Sequence, residues 1–324
     1  MTWRRGLFWA LVAVLLAPAL TLTALRLSDP PGGLLIRIQS LTPLALLPYA
    51  FVLVLLGAWS VRHRRHVWVV LVPLAGIGLH LHWLAPMYTG ATPPPDPQAT
   101  PWVVMTVNLH YGEGDADQVV QDALREKADV LVLEEITPSE LVALDRAGLS
   151  VLLPHHAGTP LADDAGTMLF AKGRVTGVVN EPTVFRSLLA TVHTPDGPKL
   201  VLAVHPSPPT ARRAWVVDHR RLMAIAHDAR PDLIVGDFNA TLDQVPMRDL
   251  EDEGYRSAGE LTNQGWQPTW PANGLYHVLR VLPLPPVAEI DHVMVGPGLT
   301  AIGSHTLHVA DTDHRAVVAT VASE

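Results

Sequence analysis

Eight polar residues stand at or beside the ends of apolar runs: Asn108, Glu135, His205, Asp237, Asn239, Asp291, Asp313 and His314. The densest group is in IVGDFNA, residues 234–240, where Asp237 and Asn239 lie two apart. In extended chain, residues two apart face the same way, so this pair can reach one ligand. Carboxylate and amide oxygens suit a hard cation such as Mg²⁺ or Mn²⁺. Two histidines nearby would add proton transfer or hydrogen bonds to an anion. Taken singly, Asn108 is an ordinary cap or turn residue, and Glu135 and Asp313 are ordinary solvated acids. The set as a whole points to chemistry.

The elements that must position these residues are legible as runs. Strands are predicted over 102–108, 129–135, 166–172, 188–194, 199–205, 232–239, 289–295 and 314–321. Several are apolar on both faces and therefore central and buried. Helices are predicted from Asp115 or Asp117 to about Lys127, after Thr137, and from Pro208 to about Asp228, with Trp215, Leu222 and Ile225 on one side. Helices alternate with strands early, and hairpin-like pairs follow. That order predicts two packed sheets with helices outside, an α/β sandwich. Strand ends in such a fold converge on one edge.

The first hundred residues are of another kind. The chain has 324 residues, is 48% hydrophobic and has a mean hydropathy of +0.23, high for a soluble protein. Three apolar stretches, about 6–25, 41–61 and 67–88, reach the ~20 residues that span a bilayer. The basic loop RHRRH at 62–66, with Arg4 and Arg5, predicts a cytoplasmic side and an extracytoplasmic C-terminal part. His80 and His82 read as interfacial or helix-packing residues. A Pro-rich linker, 89–100, follows, and residues 101–324 read as one globular domain. The expected location is the cell membrane, crossed several times, with the lipid bilayer as partner and no protein partner evident.

Seven of the 23 Lys+Arg and two of the 31 Asp+Glu precede residue 101, leaving 16 against 29, a formal −13 for the remainder. That sign opposes tight binding of duplex nucleic acid through its phosphates. With no cysteine, disulfides, thiolate metal sites and a cysteine nucleophile are excluded.

Residues 101–322 resemble the endonuclease/exonuclease/phosphatase superfamily, the fold of DNase I-like nucleases, sphingomyelinases and inositol-polyphosphate phosphatases. The resemblance rests on six segments in order: TVNLHYG, DVLVLEEI, VLAVHPSPP, VGDFNA, EIDHVMV and TDHRAVVATV. QPTWPA at 267–272 is similar to membrane-anchored bacterial members. The resemblance implies a four-layer α/β sandwich (DNase I-like) preceded by three transmembrane helices. It further implies that Glu135 binds the metal, Mg²⁺ or Mn²⁺, with Asn108 and Asp313 close to the same ion. Asp237 would position or deprotonate the attacking water. Asn239 and His205 would hydrogen-bond the phosphate oxygens. His314, oriented by Asp291, would do the same or shuttle a proton. Glu134 stands where glutamine is usual and reads as salt-bridged or solvent-facing. His110, His155, His156, His292, His305 and His308 read as surface or rim residues.

The expected activity is hydrolysis of a phosphodiester, in nucleic acid or a phospholipid head group. A phosphomonoesterase on a soluble ester and a non-catalytic binding module of the same fold are the alternatives. No segment reads plainly as an apolar hairpin that would dip into a bilayer.

Overall fold

The computed structural model describes residues 2–90, 92–274, 276–278 and 281–324; Ala91 of the expected linker lies outside the described residues. The chain forms two compact units, Met1–Pro86 and Met87–Glu324.

Three helical segments long and apolar enough to cross a membrane occupy the N-terminal part: Trp3–Arg26, Thr42–Arg62 and His66–Thr89. A short helix, Gly33–Gln39, which the sequence did not suggest, joins the first two. His80 is buried between helices and shares the Thr23 hydroxyl with Tyr49, at 2.9 and 2.8 Å. It is thus a packing histidine. Gly76 lies against the Tyr49 ring, where a Cβ would collide.

The second unit contains fourteen strands among the described residues: β1 Trp102–Asn108, β2 Val130–Glu134, β3 His155–Thr159, β4 Thr167–Ala171, β5 Val175–Glu181, β6 Ser187–Thr194, β7 Gly197–Val204, β8 Leu233–Asp237, β9 Arg256–Ser257, β10 His277–Val278, β11 Leu282–Pro283, β12 Asp291–Val295, β13 Leu299–His308 and β14 Arg315–Ser323. One six-stranded sheet runs β13-β14-β1-β2-β4-β3, the other β5-β6-β7-β8-β12-β9, and β10-β11 form a separate ribbon. Each large sheet holds one parallel pair, β1–β2 and β7–β8. Each parallel pair is joined by a helical crossover, as parallel strands require.

The layers follow from which faces are apolar. Inner-face residues of both sheets, among them Val104, Val132, Val201, Val235, Val293 and Ala319, form one buried cluster. The outer face of the first sheet, with Met105, Leu131 and Leu133, packs on Val119, Ala123 and Leu144 of its helices. Burying each such side chain contributes about 1.5–3 kcal/mol. Asp115 caps the helix Ala116–Arg125 by accepting the Gln118 N–H, and Thr137 caps Pro138–Ala147. Against the second sheet, the helix Arg212–Ala229 buries Trp215, Leu222 and Ile225. The result is a DNase I-like arrangement of helix, sheet, sheet and helix.

Candidate active site

The strand period of two builds the site. Along β1, inward positions run Trp102, Val104, Thr106, Asn108; along β2, Val130, Val132, Glu134; on β8, Leu233, Val235, Asp237. His205 continues Val201 and Ala203 just beyond β7, and Asp291 continues Val295 and Val293 of β12. Each line is apolar until its last position, except on β1, where Thr106 precedes Asn108. The polar positions therefore meet at one end of the inter-sheet core.

The structure brings all eight residues together. The Asn108 amide donates to Glu135 at 3.0 Å and, across the two sheets, to Asp237 at 3.1 Å. Nε2 of His205 lies 3.9 Å from Glu135 and 3.7 Å from Asp237. Nε2 of His314 lies 3.9 Å from Asp237 and 3.8 Å from Asp313, while its Nδ1 lies 2.9 Å from Asp291. The Asn239 backbone N–H donates to Asp237 at 2.7 Å, and its side-chain amide donates to the Pro206 carbonyl at 3.0 Å.

Two of these residues hold left-handed backbone, Glu135 at φ +54° and Asn239 at φ +48°. Such conformations are uncommon outside glycine and persist where their surroundings enforce them. The turn at Glu135 lets its second oxygen accept the Tyr111 N–H at 2.8 Å. Asn239 is fixed from behind by the helix Arg212–Ala229, whose Trp215 indole donates to the Asn239 carbonyl at 3.0 Å.

Burial and crowding set the charges. Asp237 and Asp291 are direct partners across β8 and β12. Burial, then the facing Asp291, pushes the Asp237 carboxyl up. Burial also raises Glu135, against the opposing hydrogen bonds from Asn108 and Tyr111. The two histidines diverge. Burial, with His314 nearby, lowers His205 to about 3, so its imidazole is neutral. Burial opposes a proton on His314 too, but Asp291 and then Asp237 outweigh it and raise the group to about 10. One neutral ring and one imidazolium thus flank Asp237.

The chain matches the Endonuclease/Exonuclease/phosphatase family over residues 105–314. It belongs to that family. An endonuclease/exonuclease/phosphatase family protein from Bacteroides thetaiotaomicron aligns at TM-score 0.53 and 13% identity, over 70% of this chain and 99% of that one. D. rerio TDP2, solved with a single-strand DNA product, aligns at 0.54 and 15%, over 68% and 99%. A conserved protein of unknown function from Enterococcus faecalis V583 aligns at 0.53 and 16%, over 68% and 100%. No curated protein matches the sequence.

A divalent cation fits this member of the family on grounds of charge. Four carboxyl groups besides Glu134, those of Glu135, Asp237, Asp291 and Asp313, surround a single imidazolium, and buried charge without a counter-charge is costly. The donors are almost all oxygens, which suits a hard ion. Asp237, Asp291 and His314 lie within 4.8 Å of one another and could hold a metal. A protonated imidazole offers no lone pair, however, and Nδ1 of His314 is already given to Asp291. Asn108, as placed, turns its Oδ1 to the His110 N–H and its amide to the carboxylates, so it orients Glu135 and Asp237.

Two expectations about this family member need correction. Glu134 is neither salt-bridged nor solvent-facing among the described residues. It is fully buried and accepts the Thr106 hydroxyl at 2.9 Å. Burial, then Asp291, pushes its carboxyl well above the ordinary range, which favours the neutral acid where the family's glutamine is usual. His292 is not at the surface or rim but buried, with Nε2 3.0 Å from the Ala240 carbonyl. Trp270, in QPTWPA, was not assigned a role by the sequence; its indole donates to Asp313 Oδ2 at 2.9 Å.

Proposed function

We propose that the chain is a membrane-anchored phosphoesterase that hydrolyses a phosphodiester with Mg²⁺ or Mn²⁺. The observation that carries this reading is His205. Its ring is fully buried and neutral, both nitrogens lack a hydrogen-bond partner among the described residues, and Nε2 points between Glu135 and Asp237. A buried imidazole with neither nitrogen hydrogen-bonded calls for a partner, and a phosphate oxygen seated with a cation between Glu135 and Asp237 would supply it.

Glu135 would hold the metal, with Asp313 close to the same ion and Asn108 orienting the Glu135 carboxylate. When bound, the metal neutralises phosphate charge and lowers the pKa of water. Asp237, fixed by the Asn239 N–H and Asn108, aligns the attacking water and takes its proton. His205 and the Asn239 amide donate to phosphate oxygens, and the His314 imidazolium, held by Asp291, adds positive charge where the transition state gains negative charge. None of these groups need move far, which suits a reaction governed by positioning.

A phospholipid head group is favoured as substrate over nucleic acid. The formal −13 of residues 101–324 repels a polyanion. The β10–β11 ribbon exposes Val281 and Leu282, by 75% and 65%, two apolar side chains that suit contact with lipid. It is linked to the site through Tyr276, whose ring meets Trp270 at 5.2 Å. The three apolar helices would tether the chain to a bilayer, and the basic loop at 62–66 would put the catalytic unit outside the cytoplasm.

The test is turnover by the full chain in detergent, with Mg²⁺, Mn²⁺ or EDTA, on a chromogenic phosphodiester, phospholipids, DNA and a phosphomonoester. We expect metal-dependent hydrolysis, highest on phospholipid, and at least about a hundredfold loss in Asp237→Ala. Preference for DNA or the monoester would replace the substrate assignment. A folded, metal-binding protein with no turnover would indicate a binding module.

A further inference from the structure

Arg4, Arg5, Arg62 and Arg64 lie at one end of the N-terminal unit, where the start of the helix Thr2–Arg26 meets the end of Leu46–Arg62. The sole carboxylate side chain in residues 1–86 is Asp29. It follows the far end of the first helix, about 30 Å away at ~1.5 Å per residue. No acid of this unit can therefore neutralise the basic end.

A cleft of about 340 Å³ opens there, lined by Arg5, Trp9, Trp59, His63, His66 and Trp68. Its chemistry is set by one hydrogen-bonded chain. Nδ1 of His63 faces the Trp59 carbonyl at 3.0 Å, and a carbonyl only accepts, so Nδ1 carries the proton. Nε2 faces the Arg5 guanidinium at 3.3 Å, which only donates, so Nε2 carries none. The His63 ring is also stacked on Trp59, 4.4 Å between centroids. A neutral, doubly anchored histidine thus holds one N–H of Arg5 and leaves the rest of the guanidinium fork for a ligand. The His66 ring lies on the other side of this wall, 5.7 Å from Trp59, with no hydrogen-bond partner among the described residues.

We propose that this cleft binds the phosphate of an anionic phospholipid head group; the inference rests on the membrane-spanning reading of the helices. An arginine fork held in place suits phosphate oxygens. The volume is at the small end of ligand clefts, the size of a head group rather than a whole lipid. Exposed tryptophans suit the membrane interface, and Trp68 is 61% exposed. The helices framing the cleft have the length that brings it to head-group level, and basic clefts between such helices on the cytoplasmic side are suited to anionic lipid. By the basic-loop rule the leaflet is the inner one.

The test is native mass spectrometry of the full chain released from detergent containing equal phosphatidylglycerol and phosphatidylcholine of one chain length. Wild type should retain phosphatidylglycerol by about tenfold over phosphatidylcholine. Arg5→Ala and His63→Ala should bring the two to parity, and Arg5→Lys, which keeps the charge without the fork, should fall between. Arg62→Ala removes the same charge from the same end but does not line the cleft, and should keep the preference. Equal retention by wild type, an equal loss in Arg62→Ala, or an undiminished preference in Arg5→Lys and His63→Ala overturns the proposal. Displacement of the lipid by millimolar inorganic phosphate would reassign the ligand to a soluble anion and overturn the lipid assignment. Because turnover is not read, failure here is distinct from failure of the phosphoesterase reading.

Discussion

Gly236 is where the backbone of the site has least room. It holds φ +143°, and a Cβ there would lie 2.7 Å from Oε1 of Glu134 and 3.1 Å from the Val204 carbonyl carbon, nearer still to that carbonyl's oxygen. Gly236→Ala therefore carries two penalties. A strained backbone conformation costs about 1–3 kcal/mol. Overpacking against a carbonyl that cannot rotate away costs about 1–3 kcal/mol more. Gly197→Ala separates them, because Gly197 has φ +91° but no atom within 4 Å of the added Cβ. At roughly 2–4 °C per kcal/mol for a unit of this size, Gly197→Ala should lower Tm by about 5 °C and Gly236→Ala by about 10–15 °C. Differential scanning fluorimetry of the full chain in one detergent measures both. If the two variants melt within about 2 °C of each other, the close approach of β7 and Glu134 to β8 is not the constraint argued here.

Three further outcomes are expected. Asp291→Asn removes the carboxylate that most raises His314, so its pKa falls from about 10 towards 6.5. The ratio of variant to wild-type turnover should then fall as pH rises from about 6 to about 9; a ratio unchanged across that range would contradict the role given to the imidazolium. Trp270→Phe deletes the indole donor to Asp313 and should weaken Mn²⁺ binding by roughly tenfold to a hundredfold in a calorimetric titration, while an unchanged affinity would show that Trp270 does not orient that carboxylate. His219 is buried, hydrogen-bonded to the Phe238 backbone and lowered chiefly by burial from 6.5 to about 3. The unfolded chain therefore binds a proton that the folded chain refuses, and stability falls as pH drops below 6.5, by about 2 kcal/mol at about pH 5. His219→Asn removes this titration, so its Tm should fall less than that of wild type between those pH values.

The strands that carry the site were legible because they are central. β1, β2, β7, β8, β12 and β14 are apolar runs closed by a polar residue, and two-sided burial leaves that mark in sequence. β3 and β5 were not, since much of their length is exposed and no apolar alternation marks it. The site residues could be named from ordered motifs, but their protonation could not. That depends on Asp291 facing Asp237 and on His314 lying between three carboxylates, which is a matter of register between distant segments. Glu134 had a readable signal after all. It shares the strand parity of Val130 and Val132, the face that meets the second sheet, and so was destined for the interior. Trp270 had none, because its partner Asp313 lies 43 residues on, in a different element.

The polar set ends lines of side chains that begin in the common core of both sheets, whereas Tyr111, Tyr276, Val281 and Leu282 belong to turns and to the small ribbon around it. The two groups are consequently open to change on different terms. Shifting a catalytic side chain would mean re-registering strands from both sheets, a change that empties the interior before it alters the chemistry. Exchanging the rim would leave every inward line intact. Diversification of such a scaffold should therefore run through what it admits rather than what it does, and anyone redesigning its selectivity should begin at residues 110–113, Tyr276, Val281 and Leu282 and leave the strands of the two large sheets alone.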